Sequence, residues 1–278
     1  MTKIFYFSGT GNTLWSAKKI AELIGGNCEL INIGLEAQKD ALEINADAVV
    51  LLFPSYAFGL PVVVRRFLKK AAFTAPYIAS FVTYGSFPGG TLAEASRILN
   101  RKKTGFDTYY GRIPAVENYI AIFGPPKEKT LRCRLAMQRD ASAEAARSVI
   151  KRQVNRINTF RPLSIVVSLL FTLGTKLFYR FYRVSDACNG CGICEKACPV
   201  SAVRMANGRP VFLRGCEHCQ GCLNWCPQKA ISFARVRPGT ARYCHPEITV
   251  GGYLDSGKQP GENQGPQTSR IRTGQNPP

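Results

Sequence analysis

Eight of the eleven cysteines fall into two copies of one spacing. Cys188, Cys191, Cys194 and Cys198 are followed by Pro199, and the set recurs 28 residues on as Cys216, Cys219, Cys222 and Cys226, followed by Pro227. Three thiolates separated by two residues each can wrap one turn of backbone around three corners of a cubane [4Fe-4S] cluster. The fourth, carried away by three residues and a proline, reaches the neighbouring cube. The pattern therefore predicts two clusters, one held by Cys188, Cys191, Cys194 and Cys226, the other by Cys216, Cys219, Cys222 and Cys198. Zinc needs only four ligands and gains nothing from a third step of the run or from a Cys-Pro repeated in register. A disulfide scaffold belongs to small secreted domains, whereas Met1 to Phe7 hold one lysine and a very short apolar run, not a secretory signal. His218 and Trp225, inside the second run, read as walls of the site, because a full set of thiolates leaves no vacancy for an imidazole.

A second chemistry is written at the other end of the chain. An apolar strand pattern, Ile4 to Phe7, runs into Ser8-Gly9-Thr10-Gly11-Asn12-Thr13 and then into a helical pattern, Leu14 to Leu23. Amides at a helix start and the hydroxyls of Ser8, Thr10 and Thr13 can converge on one phosphate, which the helix dipole favours. The ATP-type loop needs a lysine after its last glycine, and none follows Gly11. The dinucleotide fingerprint needs a third glycine, and Leu14 stands in its place. The remaining candidate is the flavin mononucleotide loop, because Ser8 to Thr13 after a first strand closely resembles the flavodoxin pattern.

Two further strand ends look equipped for the same ligand. Ala48 to Phe53 is continuously apolar, as a strand buried on both faces is, and empties into Pro54-Ser55-Tyr56-Ala57-Phe58-Gly59. Ile78 to Val82 ends in Thr83-Tyr84-Gly85-Ser86-Phe87 and reaches Gly90 before a helical pattern. In an open α/β sheet, ligands sit at the carboxyl ends of strands. In flavodoxins the two corresponding loops sandwich the isoalloxazine ring. The resemblance thus implies Tyr56, Phe58, Tyr84 and Phe87 as ring neighbours and Ala57, Phe58 and Gly59 as backbone groups near the flavin N5 edge, with the glycine allowing a peptide to turn over. Neither loop carries a tryptophan, and Trp15 belongs to the first helix.

These sites demand particular elements to position them. Strands are expected at 3–7, 28–33, 48–53, 78–83 and 106–112, and helices at 13–24, 61–72, 91–100 and somewhere within 127–158. Alternating strand and helix signals predict an α/β doubly wound parallel sheet, and the flavodoxin resemblance implies strand order 2-1-3-4-5. Asn207-Gly208 between apolar runs predicts a hairpin inside the cysteine-rich unit. Residues 186–234 are similar to a bacterial two-cluster ferredoxin, a small α+β domain. The chain up to about residue 234 resembles the fused flavodoxin-ferredoxin proteins of anaerobic microbes. The expected division is 1–160 as the FMN-binding unit, 161–184 as an apolar and basic linker helix, 185–236 as the cluster unit and 237–278 as a disordered tail. Cys28 and Cys133 read as plain thiols. Cys244 and His245 lack the neighbours a metal site needs.

The formal charge is +19, with 37 Lys and Arg against 18 Asp and Glu. Basic residues gather at Arg65, Arg66, Lys69 and Lys70 and along Lys127 to Arg161, where ten face only Glu128, Asp140 and Glu144. Such an excess favours redox partner proteins with acidic surfaces or an anionic membrane face. No nucleic-acid-binding motif accompanies it. The uncharged run Leu163 to Thr175 has 13 residues, short of the roughly 20 a spanning helix needs. Two readings stand for it: a linker helix packed between the units, or an interfacial helix on lipid, flanked by Lys176, Arg180 and Arg183. From Arg235 the chain turns to Gly, Pro, Gln, Ser and Thr, too poor in apolar groups to offset the entropy of ordering.

Three functions follow: an electron carrier relaying electrons between FMN and two [4Fe-4S] clusters, a flavin-dependent reductase of a small acceptor or quinone fed through the clusters, and a cluster-stabilised interaction module with an empty flavin loop. The sequence shows no nicotinamide-binding unit and no catalytic acid, base or nucleophile set, which favours the carrier. Cluster chemistry and reduced thiols suit a cytoplasmic, oxygen-avoiding setting.

Overall fold

The computed structural model describes residues 1–102, 105–157 and 162–256. In chain order the first unit holds β1 (Thr2–Tyr6), α1 (Asn12–Ile24), β2 (Cys28–Asn32), α2 (Ile33–Glu36), β3 (Glu43–Asn45), β4 (Ala48–Pro54), α3 (Val62–Lys70), β5 (Ala72–Thr74), β6 (Tyr77–Tyr84), α4 (Thr91–Asn100), β7 (Asp107–Pro114), α5 (Ile120–Phe123) and α6 (Glu128–Ile150). Its five long strands pair in parallel in the order β2-β1-β4-β6-β7, which is the expected 2-1-3-4-5 with the short strands set aside. The sheet registers Thr2 against both Cys28 and Ala48, so the carboxyl ends of β1, β4 and β6 and the loops that leave them lie side by side.

Each face of this sheet carries its own core. On one face Phe5, Leu51, Phe53 and Val82 pack with Val64, Phe67 and Leu68 of α3 and Leu92 and Leu99 of α4. On the other, Ile4, Tyr6, Val50 and Leu52 pack with Leu14, Ala17 and Ile20 of α1 and Ala145, Ala146 and Val149 of α6. Burial on both faces is why β4 reads as an uninterrupted apolar run. The pair β3 and β5, joined in parallel outside the main sheet, has no clear sequence signal because each strand is three residues long and buries only its middle side chain, Ile44 or Phe73.

The cluster unit follows α7 (Pro162–Phe178) and holds β8 (Arg183–Val184), α8 (Ile193–Lys196), β9 (Val203–Ala206), β10 (Arg209–Phe212), α9 (Gly221–Asn224) and β11 (Ile231–Ser232). Strands β9 and β10 form the predicted hairpin, with Asn207 at φ 49° and Gly208 at φ 75°, as a tight turn of the primed type requires. The 28-residue repeat extends to backbone conformation. Gly190 and Gly192 take positive φ, and their counterparts His218 and Gln220 do so without being glycine; Ser201 and Lys229 form a third such pair.

The expected tail requires correction. Residues 240–256 are packed and end in α10 (Val250–Asp255), with Tyr243, His245, Ile248 and Tyr253 all buried. These four anchors seat on the first unit one at a time, which replaces the entropic argument made from average composition. Residues 257–278 of the expected tail lie outside the described residues.

Candidate flavin and cluster sites

The Ser8–Thr13 loop is shaped by the junction it spans. Gly11 takes φ 95° at the start of α1, a conformation that favours glycine. Helix α1 has neither a side-chain cap nor an acidic residue in its first turn, so its leading amides keep their affinity for an anion. The loop side chains are fixed before any ligand arrives. Gly11 N–H donates to Ser8 Oγ (3.2 Å), Asn118 Nδ2 donates to Thr10 Oγ1 (2.8 Å), and the Thr13 and Thr83 hydroxyls share a 2.7 Å hydrogen bond. Asn12 is spent on structure: its amide donates to the Val116 carbonyl, and its oxygen accepts from Tyr243.

The C-terminal arm backs this loop. His245 N–H donates to the Thr10 carbonyl, Tyr253 donates to the Ser8 carbonyl, and the His245 ring stacks on Trp15 at 5.0 Å. Trp15 in turn donates to Glu247. Trp15 is thereby an anchor for the arm.

The second loop turns back at once. Tyr56 and Gly59 exchange both backbone hydrogen bonds at 3.0 Å, with Ala57 at φ 44° and Phe58 at φ 69° between them. The positive φ thus falls on Ala57 and Phe58 and not on Gly59. Gly59 is needed for close approach instead, since a Cβ there would lie 1.9 Å from Ser168 Oγ of α7. Gly90 N–H donates to the Phe58 carbonyl, and Phe58 meets Phe87 edge-on at 5.8 Å, so the second and third loops brace each other.

One cavity of about 630 Å³ opens at these strand ends, within the usual range for cofactor sites. Of the sequence-derived residues, Ser8, Gly9, Thr10, Asn12, Thr13, Pro54, Ser55, Tyr56, Ala57, Phe58, Thr83, Tyr84, Gly85 and Phe87 line it. Gly11, Gly59 and Gly90 do not; they shape the loops from behind. The loop after β7, Ala115 to Tyr119, supplies a fourth wall that the sequence reading missed, and Val167, Phe171 and Phe178 of α7 cover it. The buried Tyr56 hydroxyl has no hydrogen-bond partner among the described residues. A cavity with an anion-favouring helix end and aromatic walls fits a phosphorylated planar ring system such as FMN.

The cysteines gather as two sets. Cys188, Cys191, Cys194 and Cys226 line one small cavity with Ile193 and Pro227. Cys198, Cys216, Cys219 and Cys222 lie close enough to disfavour one another's ionisation. Burial, the largest cause, pushes the Cys194 thiol up to about 11 and Cys216 up to about 12, and holds Cys219 and Cys222 well above the ordinary thiol range. Buried thiolates at these positions need a cationic core among them, which is the charge an iron-sulfur cluster brings. The backbone prepares both sites alike: Ala202 N–H donates to Cys198 Sγ at 3.1 Å, and Ala230 N–H, 28 residues on, to Cys226 Sγ at 3.4 Å.

The two units share a tight interface. Cys219 lines the 630 Å³ cavity, and a Cβ on Gly9 would sit 2.5 Å from the Cys219 carbonyl oxygen. Glu217 accepts from Val62 N–H (2.8 Å) and Val63 N–H (2.7 Å), so the cluster unit supplies the anionic cap that the first turn of α3 lacks. Burial pushes that carboxyl up to about 7, against the downward pull of the two amides. His218 is packed between the sites. Its ring touches Phe233 at 4.4 Å and Phe178 at 5.1 Å, shares hydrogen bonds with the Tyr119 and Tyr182 hydroxyls at 2.7 and 3.1 Å, and is held neutral by burial, with its pKa lowered to about 4.

Residues 187–231 match the family model described as a 4Fe-4S dicluster domain. Among solved structures the chain is similar to a short-chain flavodoxin associated with a non-canonical PDU bacterial microcompartment, at 16% identity over 54% of this chain and 97% of that one, with TM-score 0.37. It is similar also to two-electron reduced Megasphaera elsdenii flavodoxin, at 20% identity over 53% and 99%, TM-score 0.34, and to a flavone reductase, at 13% over 79% and 83%, TM-score 0.33. No curated protein matches the chain. A parallel sheet in the order β2-β1-β4-β6-β7, followed in one polypeptide by a segment that matches a 4Fe-4S dicluster domain, is consistent with a flavodoxin-ferredoxin fusion.

Proposed function

We propose that the chain relays electrons between FMN seated in the 630 Å³ cavity and two [4Fe-4S] clusters held by the two cysteine sets. The observation that carries this reading is Cys219, which belongs to the second cysteine set and also lines the flavin cavity. When bound, the flavin supplies a centre able to hold one or two electrons beside carriers that accept them singly.

The protein's own residues hold and screen that exchange. Ser8, Thr10 and the leading amides of α1 bind the phosphate, with Thr10 oriented by Asn118. Tyr56, Phe58, Tyr84 and Phe87 wall the ring, and the α7 side chains exclude water from above. His218 stays neutral and ties the Tyr119 and Tyr182 phenols together between the two sites. The basic excess supports redox partners with acidic surfaces, and cluster chemistry supports an oxygen-poor, reducing compartment.

Anaerobic purification with a visible spectrum, flavin assay and iron count tests this reading. Brown, flavin-containing material with about eight iron atoms per chain is expected. Colourless protein, or protein carrying zinc, refutes it. A second reading, reduction of a small apolar acceptor, is favoured by the cover of Ile122, Phe123, Val167 and Phe171 on the same cavity. Anaerobic turnover of a soluble quinone with no added protein separates the two.

A further inference from the structure

Helix α7 is apolar on its outward face as well as its inward one, unlike a helix packed on a protein core with its other face in water. Such a helix turns its apolar stripe inward and its polar residues to water. Here Ser168 and Thr175 are buried, with Ser168 against Gly59, while Val166, Leu169, Leu170, Leu173 and Leu177 are each 49–63% exposed. Spacings of three, four, seven and eleven residues from Val166 put these five side chains on one face. That face points away from the side that holds Val167, Phe171 and Phe178 over the flavin cavity. Ile122 and Phe123 of α5, on the rim of the same cavity, are likewise exposed.

The charge around this ridge is predominantly positive. From Pro162 to Val184 there is no Asp or Glu, and Lys176, Arg180 and Arg183 are exposed. Leu131 and Leu135 of α6 pack in the same cluster as Ile120, Ala121 and Phe178, which brings exposed Lys127, Lys129 and Arg132 beside the ridge; Glu128, the acid among them, is paired with Arg132. A second copy of this chain would set one basic border against another. Among the described residues no helix is long and apolar enough to cross a membrane. A convex leucine ridge bordered by cations suits a surface that is apolar beneath and anionic at the rim.

We propose that the Val166–Leu177 face of α7, with Ile122 and Phe123, docks the protein on an anionic lipid bilayer without spanning it. The docking stands apart from the electron-transfer reading, because it concerns the outer face of α7 and is read by binding alone.

The test is vesicle flotation of the cofactor-loaded protein, using phosphatidylcholine vesicles with and without about one-third phosphatidylglycerol. The wild-type chain is expected to float with the anionic vesicles at least about tenfold more than with the neutral ones. The double substitution Leu169→Gln/Leu173→Gln, which touches neither cavity wall nor cysteine, is expected to lower that binding about tenfold or more while flavin and iron contents stay unchanged. A wild-type chain left in solution with both vesicle types overturns the proposal. So does a double variant that still floats, or a wild-type dimer that the same substitutions disperse.

Discussion

The indole N–H of Trp225 donates to the carbonyl of Gly9 across 3.0 Å, joining the second cysteine run to the phosphate loop. The bond is buried, so removing the donor leaves a carbonyl with neither water nor protein to satisfy it. Trp225→Phe keeps most of the ring packing on Tyr253 and should cost about 1–3 kcal/mol. Urea unfolding of the loaded protein measures that loss, and a flavin titration should show weaker FMN binding with iron content retained. Unchanged flavin affinity would detach the phosphate loop from the interface.

His218 occupies, at φ 54°, the position that Gly190 fills in the first cysteine run at φ 72°. A non-glycine residue there carries local strain of about 1 kcal/mol or more, so the side chain must return something. It returns hydrogen bonds to two phenols, the half-buried Tyr119 and the buried Tyr182. His218→Gly relieves the backbone but takes one hydrogen bond from each phenol, at about 0.5–1.5 kcal/mol apiece since Tyr182 keeps its bond from Gln220 Nε2, and removes the ring packing on Phe178 and Phe233. The net effect should be destabilising, and a glycine variant more stable than wild type in denaturant titration would show that the phenols find other partners.

Much of the candidate site is legible because its chemistry depends on spacing. The cysteine repeat singles out the two sets of thiols that the structure gathers, and the continuous apolarity of Ala48 to Phe53 names a central strand whose exit builds the cavity. The C-terminal arm is illegible for the opposite reason. Tyr243, His245, Ile248 and Tyr253 have no helical or strand period, and each is satisfied by a different partner, so an average over polar, Gly- and Pro-rich sequence hides four good anchors. The apolar run of α7 announced a helix but not its facing, which only the cavity beneath it decides. Positive φ at His218 and Gln220 is equally hidden, since nothing in either residue type asks for it.

The arm makes stability depend on pH through His245. Burial against Trp15 lowers its pKa to about 4 from an ordinary 6.5, and Glu247 opposes this only in part. The folded protein therefore holds the ring neutral where the unfolded chain would already be protonated. The stabilisation is full above about 6.5 and is lost as pH falls toward about 4, by at most on the order of 3 kcal/mol. His245→Gln should flatten that part of the curve when urea midpoints are compared between pH 7 and pH 4.5. Parallel curves would place the pH sensitivity elsewhere.

Glu217 holds the two units together by lending α3 a cap from another part of the chain. Its two carboxylate oxygens take the amides of Val62 and Val63, which the helix cannot pair internally and Pro61 cannot cap. Glu217→Ala removes both acceptors and should cost about 1–3 kcal/mol, whereas Glu217→Gln keeps one amide oxygen in place and should cost about half as much. Because Glu217 is a neighbour of Cys216 and is not among the predicted cluster ligands, both variants should retain iron. If docking depends on this cap, hydrogen exchange at Val62 and Val63 should rise in the order wild type, Gln, Ala, and the rate of electron exchange between flavin and clusters should fall in the same order. Loss of iron in the glutamine variant would mean that the carboxylate supports the cluster itself and not the junction.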